Sequence, residues 1–597
     1  MIRNYLGMSL SSHDPAIAVV NSRGEVVFAE GTERYYQDKR GWNCVPDNLN
    51  LIYSLVKKYC DPGAQLVVSQ SWSYGMSKIL KAYLNTRLLA SIPTRLKAFS
   101  SYEPDDERFG SDYFEILGKW LVIGLSANLR QAGNNISYLA RLQFDYGGKP
   151  AIQRTILRRA YNHHLSHAAA ACYSSPFDEA VCAVIDGYGE MSSMSFYGYQ
   201  DGKITKVFTK RYPGLSAPPS IGIFYAILCW ACGFDPLKGE EWKVMGLAPY
   251  GSFNREIYDL LRPVIKVKDL CLQAPRDAPA RIGKLLRMRR PIGSSPLEGA
   301  DIAYTGQLIF SEVCQEILNN LYNYGISENL ILTGGCALNA SWNGKILEKT
   351  PFKELYIFSA PGDDGNAIGA ALLSYYQDTP PRSAPCVLQS PYLGSRMSEL
   401  SLENLKKYSK LRITFLDSAK VPGVGAQLLA DGKIIGWVQG RAEFGPRALG
   451  NRSILADPRR SDIKEVLNTS IKFREEFRPF APSILHEYGP QYFENYQKSP
   501  YMERTLHFKD EIVEKVPGVV HVNRTGRLQT VERGMNERFY DLIAAFKRLT
   551  GIPLVLNTSF NIMGKPIIHS VEDAIAVFHT TGLDALIIEN LLIEKSI

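Results

Sequence analysis

Residues 162–167, NHHLSH, combine three of the chain's nine histidines with an asparagine that suits the first position of a helix. In a helix, His163 and His167 lie one turn apart on one face, and this spacing lets two imidazoles bind one metal ion. Asp186 ends an apolar stretch that predicts a buried strand, where its carboxylate could supply a third ligand. Two histidines and a carboxylate with open coordination positions suit Fe(II) or Zn(II). The alternative interpretation is a helix with solvated histidines.

Two glycine-rich turns, TGGCALN and PGDDGNAIG, each follow a predicted buried strand and precede a predicted helix. Free backbone N–H groups at such a helix start can bind the phosphate or ribose of a nucleotide. The second turn also contains Asp363, a further acid that favours the metal interpretation. The candidate nucleotide-binding residues, including the glycine after Asp186, are Gly187, Gly334, Gly335, Asn339 and Gly362.

A third cluster is basic and lies in the C-terminal third of the chain. The segments GRAEFGPRALGNRS and NTSIKFREEFRPF place six cations among glycines and apolar residues, namely Arg441, Arg447, Arg452, Lys472, Arg474 and Arg478. Guanidinium groups bind phosphate oxygens in a two-pronged manner, and glycines let the backbone approach an anion. A solvated basic loop does not explain this mixture. We therefore predict an anion site.

Length and composition limit the class of protein. The 597 residues exceed one hydrophobic core, so two or three domains are expected. A net charge of +8 suits anionic ligands but is too small to indicate nucleic acid by itself. The CxxC at Cys229 and Cys232 lies in an apolar segment, which predicts reduced thiols in a buried helix. The N-terminus does not resemble a signal peptide, and no apolar run reaches the length of a membrane span, so we expect a cytoplasmic protein.

The order of predicted elements indicates an α/β protein with two domains. NYLGMSL, a polar turn containing His13, and AIAVVN predict a β-hairpin, and AVCAVID, GYGE and MSSMSFYGYQ repeat this pattern. The repeat suggests the duplicated halves of an actin/sugar-kinase-type ATPase. Helical periodicity covers residues 76–99 and 304–324. A Pro/Ser-rich stretch at 377–392 predicts a linker, which gives domains at 1–385 and 395–597.

Together these motifs resemble the O-carbamoyltransferases of natural-product biosynthesis, which act on antibiotics and nodulation factors. The resemblance covers nearly the whole chain. It rests on HDPAIAVV, HHLSHAAAACYSSPF, DGYGE, KVMGLAPYG, GGCALN, GDDGNAIGAAL, GRAEFGPRALGNRSILADPR, KFREEFRPFAPS, RLQTV and NTSFN, in that order.

The resemblance implies a fold and a reaction. The N-terminal domain is expected to be of the actin/sugar-kinase (ASKHA, TsaD-like) type, with an acceptor-binding insertion around residues 70–150. The C-terminal domain is expected to be YrdC-like. That domain would convert carbamoyl phosphate and ATP with Mg²⁺ to carbamoyl adenylate. The N-terminal domain would then transfer the carbamoyl group to the hydroxyl of a small natural product. Neither nucleic acid nor membrane is expected as a partner, and a homodimer is left open.

The resemblance also assigns roles to residues. It implies that His163, His167, Asp186 and Asp363 bind iron(II) or another divalent metal. It implies that His13 deprotonates the acceptor hydroxyl and that Lys39 lies near the carbamoyl adenylate. For the carbamoyl phosphate and ATP site it implies Arg447, Arg452, Lys472, Arg478, Arg527, Asn557 and Ser559.

The chain departs from the family pattern at two places, and two alternative functions remain. The chain has Asn523-Arg524 where the family usually has Asp-Gly, and Trp242 where a glycine is usual. One alternative is a tRNA threonylcarbamoylation enzyme, which shares both domain types. The other is a nucleotide-binding regulator without transfer chemistry. The acceptor is not encoded in any recognisable motif: acids such as those at residues 105–107 could meet a cationic acceptor, although a solvated loop is the simpler interpretation.

Overall fold

The structure of the protein is a computed structural model, which describes residues 2–42, 44–73, 75, 156–212, 218–291, 293–380 and 390–595. The predicted helix at residues 76–99 and the acids at 105–107 lie outside these ranges. So do most of the predicted acceptor-binding insertion and most of the predicted linker. The described chain builds two five-stranded sheets, a nine-stranded sheet and a two-stranded ribbon.

The first sheet begins with the predicted N-terminal hairpin. Its strands are β1 (Arg3–Ser9), β2 (Ala16–Val20), β3 (Val26–Gly31), β4 (Gln65–Gln70) and β5 (Ile156–Ala160). They lie in the order β3-β2-β1-β4-β5. The first three are antiparallel, and β1, β4 and β5 are parallel. The side chains of β2 do not alternate between buried and exposed, because this strand is buried on both faces.

The second sheet repeats this topology. Its strands are β6 (Glu179–Gly189), β7 (Ser192–Gln200), β8 (Lys203–Thr209), β11 (Asn329–Thr333) and β12 (Glu354–Ile357), with the ribbon β9 (Lys266–Lys268) and β10 (Cys271–Gln273) between them in sequence. The order is β8-β7-β6-β11-β12, again with an antiparallel meander followed by parallel strands. The predicted duplication is therefore confirmed at the level of sheet topology.

The helices of this N-terminal unit (residues 2–380) surround and join the two sheets. They are α1 (Thr32–Tyr36), α2 (Leu49–Tyr59), α3 (His163–Cys172), α4 (Ile221–Ala231), α5 (Glu241–Leu247), α6 (Arg255–Leu261), α7 (Ala278–Arg287), α8 (Ala300–Tyr322), α9 (Ala340–Asn343), α10 (Ile346–Lys349) and α11 (Asn366–Asp378). Helix α8 confirms the periodicity predicted for residues 304–324.

Helices α3 and α11 follow the last parallel strand of their respective sheets and pack closely on each other. A Cβ added at Gly369 of α11 would lie 1.8 Å from the carbonyl oxygen of Ser166 in α3. Both helices are rich in buried alanine, and small side chains let their axes approach. This contact brings the N-terminal ends of the two helices together.

The C-terminal unit (residues 390–595) is built on the nine-stranded mixed sheet. In chain order its strands are β13 (Arg412–Phe415), β14 (Ile435–Val438), β15 (Arg452–Ala456), β16 (Ala481–Leu485), β17 (Arg504–His507), β18 (Thr525–Val531), β19 (Leu554–Ser559), β20 (Ala585–Ile588) and β21 (Leu591–Glu594). The spatial order is β13-β21-β20-β14-β15-β19-β16-β18-β17, which places β15 at the centre.

The helices of the C-terminal unit cover this sheet. They are α12 (Glu399–Tyr408), α13 (Val421–Ala430), α14 (Ile463–Leu467), α15 (Gly489–Tyr492), α16 (Asp510–Val513), α17 (Glu537–Thr550) and α18 (Val571–Thr580). Trp437, Phe539 and Phe546 are fully buried in a core that spans the unit. A mixed α/β fold is thus confirmed for the described residues, while the YrdC-like assignment stays a prediction.

The CxxC cysteines and the apolar character of the helices were also subjects of prediction. Cys229 and Cys232 are free, fully buried thiols at the end of α4, as the apolar surroundings of the CxxC predicted. Among the described residues, no helix combines the length and the apolar character that crossing a lipid bilayer requires.

Candidate functional site

A cavity of about 1590 Å³ lies between the N-terminal and C-terminal units and is lined by both. All the residues predicted for the site line it except His163, His167, Gly334, Arg441 and Arg452. The predicted residues at its wall are His13, Lys39, Asp186, Gly187, Gly335, Asn339, Gly362, Asp363, Arg447, Lys472, Arg474, Arg478, Arg527, Asn557 and Ser559. Side chains that the sequence separates by several hundred residues therefore share one cavity.

The four predicted metal ligands meet at the N-terminal side of the cavity. Their donor atoms all lie within 4.8 Å of one another. Nε2 of His163 is 3.2 Å from Nε2 of His167 and 3.4 Å from an oxygen of each of Asp186 and Asp363. Nε2 of His167 is 3.3 Å from Asp363 Oδ1 and 3.9 Å from Asp186 Oδ2. The two imidazoles are buried behind the two carboxylates, which face the cavity.

These spacings suit a single divalent ion. With metal–ligand bonds of about 2.1 Å, neighbouring ligand atoms lie about 3.0–3.4 Å apart. Two imidazole nitrogens and two carboxylate oxygens form a donor set that Fe(II), Zn(II) and similar ions accept. The donor chemistry and the geometry therefore fit a metal centre bound by His163, His167, Asp186 and Asp363.

Local structure explains how the imidazoles are positioned. The Asn162 side chain caps α3 by accepting a hydrogen bond from the Leu165 N–H at 3.1 Å, as predicted. Glu190 accepts a hydrogen bond from the His163 N–H at 3.1 Å, and its carboxylate also binds the N–H and the hydroxyl of Ser73. The Trp72 ring lies over the His163 imidazole with 4.9 Å between centroids. The start of α3 is thus held from three sides.

Burial and charge act against each other in this cluster. Burial disfavours a charged imidazole, but the Asp363 and Asp186 carboxylates raise the pKa of His163 well above its ordinary value. Burial likewise disfavours the carboxylate of Asp186, yet the neighbouring imidazoles hold its pKa below the usual range. The negative charge of the Asp186 and Asp363 carboxylates is thus stabilised by positive charge at the centre, on the imidazoles or on a bound metal ion.

The third histidine of the motif has a different role. Burial lowers the pKa of His164 to about 3, so its imidazole is neutral. Its Nδ1 lies 2.8 Å from the hydroxyl of Ser195 in β7, and a Cβ at Gly189 would lie 2.5 Å from its Nε2. His164 therefore fastens α3 to the second sheet, and it is not one of the four clustered donors.

His13 occupies the turn between β1 and β2, as predicted, and lines the cavity. Its Nδ1 lies 2.8 Å from Asp14 Oδ2 and 3.0 Å from Nη2 of Arg40. Asp14 and Arg40 both have left-handed backbones, with φ of 52° and 66°, and the Asp14 N–H donates to the Arg40 carbonyl at 2.7 Å. These contacts fix one edge of the imidazole and leave Nε2 as its other polar atom.

Lys39 lies beside Arg40 and meets the C-terminal unit through an aromatic ring. Its Nζ is 5.6 Å from the centroid of Trp242, and the Arg478 guanidinium carbon is 4.4 Å from the same centroid. Burial and the nearby Arg478 charge lower the pKa of Lys39. Trp242, one of the two departures from the family pattern, thus lies between two of the predicted site residues.

The C-terminal side of the cavity carries a dense positive charge. Six cations line it: Arg447, Lys472, Arg474, Arg478, Arg527 and Lys565. Burial and the Arg527 charge lower the pKa of Arg447, and burial lowers the pKa of Arg527 to about 10. Burial and two neighbouring guanidinium groups lower the pKa of Lys472. Among the described residues, Arg478 is the member of this set that forms an ion pair, with Glu475. Bound anions would therefore stabilise the charged forms of the set.

Asn557 and Ser559 stand on β19 beside these cations. The Asn557 side-chain amide donates to the Ala448 carbonyl, Ser483 and Gln529, which fixes the side chain within the sheet. The Ser559 hydroxyl donates to Asn561 Oδ1 at 2.8 Å, and Lys472 Nζ lies 2.8 Å from that same oxygen. Asn561, which also lines the cavity, was not predicted from the sequence.

The position of Arg452 differs from the one predicted, which was at the carbamoyl phosphate and ATP site. Its guanidinium donates to the backbone carbonyls of Gln439, Asn451, Ser395 and Gly440, and its side chain is fully buried in the central strand β15. It does not line the cavity, so we interpret it as a structural residue rather than an anion ligand.

Two further predicted residues lie off the cavity wall. Arg441 donates to the carbonyls of Gly394, Val27 and Leu393 and so joins the two units. Gly334 has a φ of 91°, and a Cβ there would lie 2.4 Å from the Ile185 carbonyl oxygen. This glycine permits the sharp turn that brings Gly335 to the cavity, where the Gly335 N–H donates to Asp186 Oδ1 at 3.1 Å.

The opposite end of the N-terminal side is apolar. Ile223 and Ile227 of α4, Ile282 and Leu286 of α7, and Phe310 of α8 line it. Asn339, at the edge of this surface, exchanges hydrogen bonds with Gln307, and Gln307 accepts one from the Tyr225 hydroxyl at 2.6 Å. Helix α7 thus contributes an apolar face to the cavity.

Other cavity residues carry no distinctive sequence signal. Asp364 adjoins a metal-ligand candidate, and burial with the nearby carboxylates of Asp14 and Glu33 raises its pKa to about 7. The doubled acid in PGDDG is the one feature that could have indicated it. His521 and Asn523 also line the wall, whereas Arg524 pairs at the surface with Asp510.

Comparison with known proteins agrees with this division into two units. A family model described as "Carbamoyltransferase N-terminus" matches residues 4–372, and one described as "Carbamoyltransferase C-terminus" matches residues 426–595. An uncharacterized protein of Methanocaldococcus jannaschii is 32% identical over 99% of this chain and 99% of its own. Nodulation protein NolO of Bradyrhizobium diazoefficiens is 35% identical over 73% of this chain and 79% of its own. Nodulation protein NolNO of Sinorhizobium fredii is 35% identical over 73% of this chain and 63% of its own. The chain therefore belongs to the carbamoyltransferase family of transferase enzymes.

Proposed function

We propose that the protein is an ATP-dependent O-carbamoyltransferase that works through a carbamoyl-adenylate intermediate. One observation carries the proposal. A single cavity joins a cationic cluster in the C-terminal unit to a two-histidine, two-aspartate cluster in the N-terminal unit. Such a cavity can hold a reactive intermediate away from water between two steps of chemistry.

The first step is proposed for the C-terminal unit. Carbamoyl phosphate and water give carbamate and phosphate. A carbamate oxygen then attacks the α-phosphorus of ATP, and the bond to the β-phosphate oxygen breaks to release pyrophosphate with its Mg²⁺. Arg447, Lys472 and Arg527 would bind the phosphate oxygens of both substrates. All three line the cavity, Lys472 buried and the two arginines half-buried, and none has a carboxylate partner among the described residues.

The second step is proposed for the N-terminal unit. When the His13 proton is on Nδ1, it forms a hydrogen bond to the Asp14 carboxylate. Nε2 is then free to accept the proton of an acceptor hydroxyl. The resulting oxygen attacks the carbamoyl carbon, and the bond to the AMP phosphate breaks. Lys39 is placed to bind that phosphate. A divalent ion on the four clustered ligands, which we propose to be iron(II), would supply a Lewis acid at this end.

The nucleotide also has a suitable place in the N-terminal unit. The apolar surface formed by α4, α7 and α8 can pack against an adenine ring, with Asn339 and Gly335 towards the ribose. The two sheets of equal topology support the assignment of this unit to the actin/sugar-kinase type of ATPase. The acceptor is proposed to be a small hydroxylated natural product, on the resemblance to enzymes that modify such compounds.

The experiment that tests the proposal measures pyrophosphate release by the full chain from ATP. We expect release with carbamoyl phosphate alone, and a mass gain of one carbamoyl group when a panel of hydroxylated natural products is added. Release that requires threonine, bicarbonate and tRNA would instead identify a tRNA-modifying enzyme. Binding of ATP without any pyrophosphate would identify a regulator. Either of these results would contradict the proposal.

A further inference from the structure

Trp242 occupies a distinctive place in the cavity. It lies in α5 of the N-terminal unit, and its ring is approached by a cation from each unit. Lys39 Nζ is 5.6 Å from the ring centroid and the Arg478 guanidinium carbon is 4.4 Å from it. All three side chains line the cavity. The ring is therefore a point at which one cation from each unit approaches the same side chain.

The residue after Trp242 strengthens this junction. Lys243 is 95% buried, and its Nζ lies 2.6 Å from Glu240 and 2.8 Å from Glu475. Glu475 also pairs with Arg478. Two consecutive residues of α5 thus hold Arg478, one through its ring and one through a shared carboxylate. The orientation of Arg478, which belongs to the C-terminal unit, is consequently set by the N-terminal unit.

Arg478 also retains a polar atom for a ligand. Its Nε is buried and has no hydrogen-bond partner among the described residues. Because Glu475 takes one terminal nitrogen and Trp242 covers a face of the guanidinium, the remaining N–H groups at the edge of the plane are the ones free to bind an anion.

We propose that Trp242 is a positioning residue for the internal transfer of the intermediate. Its ring holds Arg478 and Lys39 on the two sides of the passage that leads from the cationic cluster of the C-terminal unit to the metal cluster of the N-terminal unit. The phosphate of the carbamoyl adenylate is then bound by Arg478 before it is bound by Lys39, and water is kept from the carbamoyl carbon. This inference rests on the proposed function and adds to it a residue that the family pattern does not supply.

The proposal predicts a specific failure when the ring is removed. Without Trp242, Arg478 and Lys39 lose their common support and the passage widens. Water can then attack the carbamoyl carbon, break its bond to the AMP phosphate, and release AMP and carbamate. Formation of the adenylate should continue, because the other cations of the C-terminal cluster remain.

The test uses the full chain with ATP and carbamoyl phosphate and no acceptor. The wild type is expected to release about one pyrophosphate per chain in a burst and then to form AMP slowly. Trp242→Ala should keep the burst and increase the steady rate of AMP formation about 10-fold, the size of effect expected for losing two cation–π contacts. Trp242→Phe keeps an aromatic ring and should restore most of the slow rate.

A control and the contrary outcomes complete the design. Tyr250→Ala removes an aromatic contact between the same two units, since Tyr250 packs edge to face against His521 with 5.4 Å between centroids, but Tyr250 does not line the cavity. Its AMP rate should match that of the wild type. A Trp242→Ala rate equal to wild type, or an equal increase in Tyr250→Ala, would overturn the positioning role while leaving the proposed function intact. A wild type without a carbamoyl-phosphate-dependent burst would overturn both.

Discussion

The carboxylate of Glu190 accepts a hydrogen bond from the backbone N–H of His163, with 3.1 Å between Oε1 and the nitrogen. Glu190 lies just beyond the strand that carries Asp186, so this contact links two of the four clustered ligands through one turn. It fixes the start of α3 relative to β6, and with it the distance between an imidazole and a carboxylate.

Replacement of Glu190 should therefore weaken metal binding without removing a ligand. We expect Glu190→Ala to reduce the affinity for a divalent ion about 10-fold, because groups that orient metal ligands contribute on this scale. Titration of metal-free protein with Fe(II) or Zn(II) measures the effect. Glu179→Ala, an exposed acid at the start of the same strand, is the matched control. Equal affinities for the two variants would show that the contact does not position His163.

Removal of a ligand should separate the two half-reactions. His167→Ala is expected to lose the bound ion and the transfer of the carbamoyl group, while carbamoyl-phosphate-dependent pyrophosphate release continues. Chelation of the metal from the wild type should have the same effect. Elemental analysis and the pyrophosphate assay measure both. His164→Asn, which keeps a polar atom towards Ser195, should retain the ion. If His167→Ala folded and lost both half-reactions, the assignment of one step to each unit would be wrong.

Arg447 and Arg452 should respond differently, although they are five residues apart. Arg447 faces the cavity, so Arg447→Ala is expected to slow pyrophosphate release at least about 100-fold with little change in thermal stability. Arg452 satisfies four buried carbonyls, so Arg452→Ala should destabilise the fold by about 3–5 kcal/mol. Thermal denaturation and the pyrophosphate assay on both variants distinguish the two roles. Normal stability of Arg452→Ala together with a loss of adenylation would instead identify Arg452 as an anion ligand.

Glu30 should make the contact between the units sensitive to acid. Burial disfavours its charge, but His569 and Ser395 hold the pKa of Glu30 at about 2, compared with 4.5 when unfolded. A lowered pKa contributes stability that is present above pH 4.5 and is lost as the pH falls towards 2, in total about 3 kcal/mol.

Hydrogen exchange can locate this effect, because the Ser395 N–H donates to Glu30 Oε1 at 3.2 Å. We expect faster exchange of the Ser395 amide at pH 3 than the intrinsic pH dependence of exchange explains, and Glu30→Gln should remove this excess. Glu256→Gln, at an exposed acid of α6, should leave it in place. An unchanged excess in Glu30→Gln would mean that another group titrates.

Much of the metal cluster could be predicted from the sequence because it depends on local geometry. The spacing of His163 and His167 follows from the helical repeat, and Asn162 is a typical helix cap. The position of Asp363 beside the two histidines could not be predicted from local geometry. It depends on the close crossing of α3 and α11 at Gly369, which brings together residues about 200 positions apart.

The basic cluster shows what composition and motif alone cannot predict. Arg447 and Arg452 occur in one motif with the same neighbours, and composition cannot separate them. The register of β15 decides, because Arg452 begins the central strand of the sheet while Arg447 precedes it in a loop. The role of Trp242 depends on contact between the units, which no local pattern in either unit expresses.

The repeated order of the two five-stranded sheets determines how the metal ligands are divided. His163 and His167 begin the helix after the last parallel strand of one sheet, and Asp363 directly precedes the helix after the last parallel strand of the other. Likewise His13 and Asp186 belong to corresponding hairpins. The four clustered ligands are thus divided between the two repeats, because His163 and His167 follow the first sheet while Asp186 and Asp363 belong to the second. Neither repeat alone holds more than two of the four, so the centre exists only where the two repeats face each other.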